Sequence, residues 1–417
     1  WHDEFYTLAN LVGFDLYLFP GSDLSSTAAI LPAESHIAPL YENNFWPNIW
    51  RTILHEGPLP PLYTFLLKIW VELTSYSLYS TRLFSVVAST LSIPIMYLAA
   101  LRLGGQKVAL LASAFLATSP FQVYFSVEAR NYSLLTLFSV VSTLVAVKLR
   151  ETDKLRTSHW VFWAVAVFAT WSTHYYGIIY CFFLLILYVL PGRRVKSRSD
   201  LVYTLVFSSI PFLIFLFWLP ILYLQVKVHG DGHWTQGALG VLPSLGQAGF
   251  ALAELLGGPH IINGLQVKIE GVEYIFVGLF LLTFFFKIAV NPRTPIMSPS
   301  RCLLFVILAH MIFVYLLDLV INQNTTSVVR YSICLIIPMY LILGMVAAKM
   351  NGFGAILAVG LLLYSTNTSI LIGDAERAPK QMLRQVSSYI NENYEPGDLV
   401  VVTPNGPSMI GLAYYLD

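Results

Sequence analysis

Residues 201–224 read LVYTLVFSSIPFLIFLFWLPILYL, a run of 24 residues without a single charged side chain. A helix of about 20 predominantly apolar residues is long enough to cross the hydrocarbon core of a bilayer. The run therefore predicts a transmembrane helix.

Similar runs lie on both sides of this one, which makes ten candidate spans in all. They predict an all-α polytopic membrane protein whose transmembrane helical domain occupies residues 83–371. The runs lie near residues 83–101, 108–125, 132–147, 159–174, 176–191, 201–224, 272–290, 302–320, 331–348 and 353–371.

The composition of the whole chain agrees with this fold class. Of its 417 residues, 56% are hydrophobic and 11% are charged, and the mean hydropathy is +0.67. Soluble domains have about 25% charged residues, so this chain cannot cover itself with a solvated surface. The net charge of +1 and the absence of a basic face also exclude a disordered protein and a nucleic-acid-binding protein.

Lysine and arginine clusters predict the orientation of the spans. Such residues recur in alternate short loops, for example at 148–156 and 193–198, and basic loops face the cytoplasm. Residues 1–82, the loop 225–271 and the tail 372–417 are then extracytoplasmic.

The two ends of the chain have their own character. We interpret residues 44–76 as amphipathic helices on the outer membrane surface, with Lys68 snorkelling to water. In the tail, residues 379–392 predict a helix and 399–403 a buried strand, which is how an extracytoplasmic α/β domain would begin. Because the chain starts at Trp1 and stops soon after that strand, we expect a fragment of a longer protein.

Ionisable residues gather at the outer ends of the predicted spans and in the outer loops. Charges near membrane depth are costly and often mark a site, although each residue taken alone also fits an ordinary interfacial position. The residues are Asp3, Glu4, His55, Glu56, Glu128, Arg130, His174, Asp318 and Arg330.

Four short motifs carry six of these residues, in the order Trp1-His2-Asp3-Glu4, Ser126 to Leu135, Thr173-His174-Tyr175-Tyr176 and Arg330-Tyr331. A carboxylate of the first motif can serve as a general base. The guanidinium groups of the second and fourth suit phosphate. The alternatives are a helix-terminal acidic pair, an interfacial ion pair, an aromatic belt and a contact with lipid headgroups.

Together with Glu56-Gly57-Pro58-Leu59-Pro60-Pro61-Leu62-Tyr63, these motifs resemble the multispanning glycosyltransferases of the GT-C fold. The most similar group is the family-39/family-83-like set, which contains the dolichyl-phosphate-mannose protein mannosyltransferases, their bacterial relatives and the lipid A aminoarabinose transferase. The resemblance implies transfer of a sugar from a polyprenyl-phosphate donor to a hydroxyl on the extracytoplasmic side, with inversion. The acceptor would be a glycan, a lipid or a protein.

The resemblance also implies roles for individual residues. Asp3 would be the base for the acceptor hydroxyl and Glu4 its support. Seven further residues of these motifs would line the substrate cavity, and Arg330 among them would contact the lipid phosphate. These residues are Glu56, Glu128, Arg130, His174, Tyr175, Arg330 and Tyr331. Bacterial members often carry His-Pro-Pro-Leu-Tyr, whereas Leu59 stands before the two prolines here and His55 lies upstream.

Other properties follow less directly. Glu56 and His174 could share a divalent metal ion, but two ligands are too few to predict a site. A bacterial or archaeal plasma membrane is favoured over the endoplasmic reticulum.

The rival function is a transporter or flippase of a lipid-linked substrate. Such proteins bind near the bilayer midplane between repeated halves, and this sequence contains no evident repeat. A non-catalytic membrane subunit is the third alternative.

Overall fold

The computed structural model describes Leu11, Leu255 and residues 45–55, 58–152, 156–192, 198–228, 298–349, 353–373 and 383–394. Every regular element within these ranges is a helix. Asp3, Glu4, Glu56, the loop 229–254, the predicted span 272–290 and the predicted strand 399–403 lie outside the described residues.

The described residues form twelve α-helices of seven or more residues and one helical turn of three residues, Leu190–Gly192. Two of the twelve helices adjoin helical segments of another type. Helix α7 continues as a π-helix over Leu184–Val189, and α10 is preceded by two 3₁₀ segments, Thr325–Ser327 and Val329–Leu335. The helices are α1 Phe45–His55, α2 Pro61–Leu73, α3 Leu78–Ala117, α4 Pro120–Ser126, α5 Tyr132–Glu151, α6 Thr157–Trp171, α7 Tyr176–Phe183, α8 Arg198–Val228, α9 Pro299–Ile321, α10 Ile336–Ala347, α11 Phe353–Gly373 and α12 Leu383–Asn393.

Helix α3 is 40 residues long but is interrupted by two glycines. Gly104 (φ −163°, ψ 15°) and Gly105 (φ 78°, ψ −170°) are not helical, and the positive φ of Gly105 is one that side chains with a Cβ rarely adopt. The break falls between the predicted spans 83–101 and 108–125. It therefore divides α3 into two rods where the sequence predicts a loop.

Five helical segments are long and apolar enough to span a membrane by length and composition, which identifies an integral membrane protein. The count of ten spans remains a prediction. Residues 176–189 form a shorter apolar helix. The five segments are Leu78–Ala117, Tyr132–Glu151, Val202–Lys227, Pro299–Ile321 and Val329–Ala347.

The core lies between α3, α5, α6, α9 and α10. Trp163 and Tyr180 are fully buried, and the Tyr340 ring of α10 stacks on Phe115 of α3 with centroids 6.2 Å apart. Helix α8 is different, since Phe217 is 85% exposed. This apolar surface is what a lipid-facing helix presents.

The structure corrects the expectation for Lys68 and has helices where the sequence predicts them at both ends of the chain. Lys68 does not snorkel, because its side chain is fully buried inside the protein. Helices α1 and α2 occupy the stretch interpreted as surface helices, and α12 overlaps the helix expected in the tail. The three cysteines of the chain are free and buried: Cys181, Cys302 and Cys334.

Helix α7 packs on α6 through a glycine. A Cβ on Gly177 would lie 2.7 Å from the Thr170 carbonyl oxygen, which is backbone and cannot rotate away. The equivalent atom on Gly360 of α11 would meet nothing within 4 Å. These two glycines therefore form a matched pair.

We predict that Gly177→Ala lowers the thermal unfolding midpoint in detergent, because overpacking costs about 1–3 kcal/mol. Gly360→Ala should leave the midpoint unchanged or raise it, because alanine is favoured over glycine in a helix by about 1 kcal/mol. Equal midpoints for the two variants would show that the α6–α7 contact is not close.

Candidate functional site

The turn Val127–Asn131 between α4 and α5 carries Glu128 and Arg130. Glu128 is 4% exposed, and its carbonyl accepts a hydrogen bond of 2.8 Å from the Arg130 amide. The Asn131 side chain donates to the Thr173 carbonyl at 2.7 Å. This turn is thus fixed to the one between α6 and α7.

The turn Ser172–Tyr175 connects α6 to α7 and buries a histidine. His174 is 5% exposed, and its Nδ1 accepts a hydrogen bond of 3.2 Å from the Tyr176 amide. The positive charges of Arg330 and Arg130 both act on this buried imidazole.

Tyrosines and Arg330 surround this histidine. Its ring centroid lies 5.1 Å from that of Tyr331, 5.6 Å from Tyr176 and 6.1 Å from Tyr132. The Arg330 guanidinium lies 5.9 Å from the Tyr132 ring centroid and 6.0 Å from that of Tyr331, within range of a cation–π interaction. We call His174, Tyr132, Tyr176, Tyr331 and Arg330 the aromatic cluster.

Glu128 lies on the border of the aromatic cluster. The hydroxyl of Tyr124, which is 3% exposed, interacts electrostatically with both the Glu128 carboxylate and the Arg330 guanidinium. His174 interacts in the same way with both arginines. Five residues singled out from the sequence thus come together: Glu128, Arg130, His174, Arg330 and Tyr331.

Tyr175 belongs to a different network. Its hydroxyl accepts a hydrogen bond from Trp218 Nε1 at 2.8 Å and donates one to Gln225 Oε1 at 2.6 Å. Gln225 Nε2 in turn donates to the carbonyls of Ile53 at 2.6 Å and Leu59 at 2.7 Å. Through Gln225, Tyr175 is thereby connected to Ile53 in α1 and to Leu59 just before α2.

Lys68 connects α2 to the first outer segment. Its Nζ donates to the Leu11 carbonyl at 2.9 Å and to the Tyr76 hydroxyl at 2.7 Å, and lies 3.3 Å from the Glu72 carboxylate. Burial lowers the pKa of Lys68, while the hydrogen bond and charge of Glu72 act against this shift. Leu11 is eight positions from Asp3 in sequence.

Sequence reasoning did not single out Gln225, for which a polar residue near the end of an apolar run was the available signal. It named Asp318 among the outer ionisable residues without a specific role, and the structure shows its carboxylate bound to Thr325 and Thr326. Among the described residues, no group of three or more histidine, cysteine, aspartate or glutamate side chains is arranged to hold a metal ion.

The arrangement has the chemistry of an anion site. The Arg330 guanidinium lies over two aromatic rings beside the buried His174, and charges in such a partly buried site interact more strongly than in solution. Arginine forms charge-assisted hydrogen bonds to phosphate oxygens. The aromatic faces pack well against apolar groups of a ligand.

Comparison with solved structures gives weak global similarity. ArnT from Cupriavidus metallidurans bound to undecaprenyl phosphate is 14% identical, with a TM-score of 0.48 over 86% of this chain and 75% of that one. The Archaeoglobus fulgidus oligosaccharyltransferase in complex with Zn and sulfate is 14% identical, with a TM-score of 0.43 over 86% of this chain and 49% of that one. Our chain spans about half the length of that enzyme. No curated protein sequence matches the chain significantly.

Comparison with protein families gives a more direct result. Residues 59–245 match the family described as dolichyl-phosphate-mannose-protein mannosyltransferase. The matched stretch includes Glu128, Arg130, His174 and Tyr175. The resemblance indicated by the sequence motifs is thus confirmed over residues 59–245, which are similar to this mannosyltransferase family.

Proposed function

We propose that the protein is a membrane glycosyltransferase that moves a sugar from a polyprenyl-phosphate donor to an acceptor hydroxyl, with inversion. The observation that carries the proposal is the position of the Arg330 guanidinium over the Tyr132 and Tyr331 rings that pack on the buried His174, in a chain whose residues 59–245 match a mannosyltransferase family. Arg330 lies outside the matched stretch, so its approach to His174 is independent of the family match.

The proposed reaction needs three groups. The acceptor oxygen attacks the anomeric carbon, the bond from that carbon to the phosphate oxygen breaks, and its electron pair stays on the polyprenyl phosphate. Arg130 and Arg330 stabilise the negative charge that develops there. A carboxylate, which we assign to Asp3 with support from Glu4, takes the acceptor proton.

The other predicted residues complete the site in this proposal. Glu128 and Tyr331 line the donor pocket, and Tyr176 and Tyr132 offer ring faces to the sugar. We assign Glu56, which lies between Ile53 and Leu59 in the sequence, to the same cavity. Holding donor and acceptor together removes much of the entropic cost of their encounter. The sugar and the acceptor, whether glycan, lipid or protein, are left open.

The side of the membrane is part of the proposal and is tested first. We predict that Asp231→Cys is labelled by a membrane-impermeant maleimide in intact cells, whereas Arg194→Cys is labelled only after permeabilisation. The expectation follows from the basic loops, which face the cytoplasm. The three native cysteines are buried and give little background. The reverse labelling pattern would place the whole site on the cytoplasmic side.

Arg330→Ala and Arg130→Ala should each weaken donor binding or lower turnover. Losing one charge-assisted hydrogen bond costs about 1.5–3 kcal/mol, or roughly tenfold to a hundredfold. The assay supplies full-length protein in liposomes with polyprenyl-phosphate hexoses and pentoses, and measures both sugar transfer and release of the lipid phosphate.

The control for these variants is Arg102→Ala, an exposed arginine 3.8 Å from Glu151 at the α3 break. It should bind and turn over donor as the native protein does. If both site variants match this control, their guanidinium groups contact lipid headgroups instead of the donor. Movement of intact donor across the bilayer without sugar transfer would favour the flippase.

Asp3→Asn preserves the shape of the side chain and removes the base. Since general-base catalysis contributes about 10²–10⁴-fold, transfer should fall by that order while donor binding is retained. Glu4→Gln should have the milder effect. Abolished transfer in Glu4→Gln with near-normal transfer in Asp3→Asn would exchange the two roles. Normal transfer in both would assign the base to Glu56 or Glu128.

A further inference from the structure

Asp318 lies in the last turn of α9, where a negative charge is unfavourable. The carboxyl end of a helix carries partial negative charge, so an acidic side chain is repelled there. Asp318 is also only 4% exposed, and a buried charge is costly unless it is hydrogen-bonded. Its presence at this position therefore requires compensation.

Four hydrogen bonds supply that compensation. Asp318 Oδ1 accepts from the Thr325 amide at 3.0 Å and from its hydroxyl at 2.5 Å. Oδ2 accepts from the Thr326 amide at 2.7 Å and from its hydroxyl at 2.5 Å. Each carboxylate oxygen thus binds one threonine through both backbone and side chain. We call this arrangement the threonine clamp.

The backbone turns back at Asn322 to bring the threonines to Asp318. Asn322 adopts a left-handed conformation (φ 53°, ψ 46°), and its amide donates to the Asp318 carbonyl. The Gln323 amide donates to the same carbonyl at 3.0 Å. The hydrogen bonds to the Asp318 carbonyl and those of the threonine clamp therefore both stabilise this reversal of the chain.

A short series of hydrogen bonds leads from the threonine clamp to Arg330. The Val328 amide donates to the Thr325 carbonyl at 2.9 Å, and the Tyr331 amide donates to the Val328 carbonyl at 2.9 Å. The Thr325 hydroxyl also pairs with the hydroxyl of Tyr176, whose ring centroid lies 5.4 Å from that of Tyr331. The backbone of residues 325–331 is thus fixed both along its length and against α7.

We propose that Asp318 is a positioning residue that holds Arg330 in the aromatic cluster through the threonine clamp. The proposal deepens the proposed function, since it rests on Arg330 contacting the donor phosphate. Arg330 and Tyr331 lie in a 3₁₀ segment instead of an α-helix. Hydrogen-bond geometry in 3₁₀ segments is poorer than in α-helices, so outside support has more influence on their position.

The test is a double-mutant cycle on lipid-phosphate binding. The full-length protein in detergent is titrated with undecaprenyl phosphate, which needs neither the sugar nor the acceptor. Asp318→Asn keeps the size of the side chain but replaces one accepting oxygen with an NH₂ group that faces the donors of a threonine. We expect roughly tenfold weaker binding, because residues in one hydrogen-bond network are energetically coupled.

The decisive measurement is the same change in the Arg330→Ala background. If Asp318 acts through Arg330, adding Asp318→Asn to Arg330→Ala causes no further loss of binding. A loss of equal size in both backgrounds would overturn the proposal, because Asp318 would then act independently of Arg330. Unchanged binding by a folded Asp318→Asn protein would overturn it as well.

Two further variants keep the test interpretable. Glu151→Gln removes a carboxylate at the opposite end of α5 from the aromatic cluster and should bind undecaprenyl phosphate normally. Thr326→Val removes one clamp hydroxyl and keeps the backbone bonds, so it replaces Asp318→Asn in the cycle if that variant does not fold. A smaller loss of binding, absent in the Arg330→Ala background, is then expected.

The cycle separates this proposal from the proposed function. If Arg330→Ala weakens binding and the clamp variants do not, only the positioning role fails. If Arg330→Ala itself binds undecaprenyl phosphate normally, the phosphate role of Arg330 fails, and the positioning proposal fails with it.

Discussion

The turn between α6 and α7 is the element on which the candidate site depends. Four consecutive residues bind four different parts of the chain. The Ser172 carbonyl accepts from the Leu62 amide at 2.8 Å, and the Thr173 carbonyl accepts from Asn131 at 2.7 Å. His174 packs on Tyr331, and the Tyr175 hydroxyl binds Gln225. Helices α2, α5 and α8 and the 3₁₀ segment before α10 are therefore fixed relative to one another.

This dependence has a general physical cause. Polar backbone groups in an apolar environment must find partners inside the protein, because each unpaired group costs several kcal/mol. A turn exposes more such groups than a helix does. Side chains of distant residues, such as Asn131, satisfy them here, and each such bond also fixes the distance between two elements.

The same environment explains how the charges are arranged. The guanidinium groups of Arg130 and Arg330 act on the buried His174, and the Glu128 carboxylate lies on the border of the same cluster. The Asp318 carboxylate is bound by amides and hydroxyls of Thr325 and Thr326. Burial increases the strength of each of these interactions, because water screens them little.

The amino-acid sequence by itself determined the helical membrane class and indicated the candidate site residues. Long uncharged runs require helices in a bilayer, and the motifs around Glu128, His174 and Arg330 indicated a shared outer site before their contacts were known. Asp3 and Glu4 lie outside the described residues, so their role is still a prediction from the sequence.

Only the tertiary structure decided which polar groups meet. Lys68 is buried because Leu11, 57 positions away, offers it a carbonyl. Gln225 reaches Ile53 over 172 positions, and Tyr175 points to Gln225 although it follows His174 directly in sequence. Apolar periodicity reports which residues prefer to be buried. Hydrogen bonds between distant elements depend on how the helices pack, and no local pattern in the sequence records that.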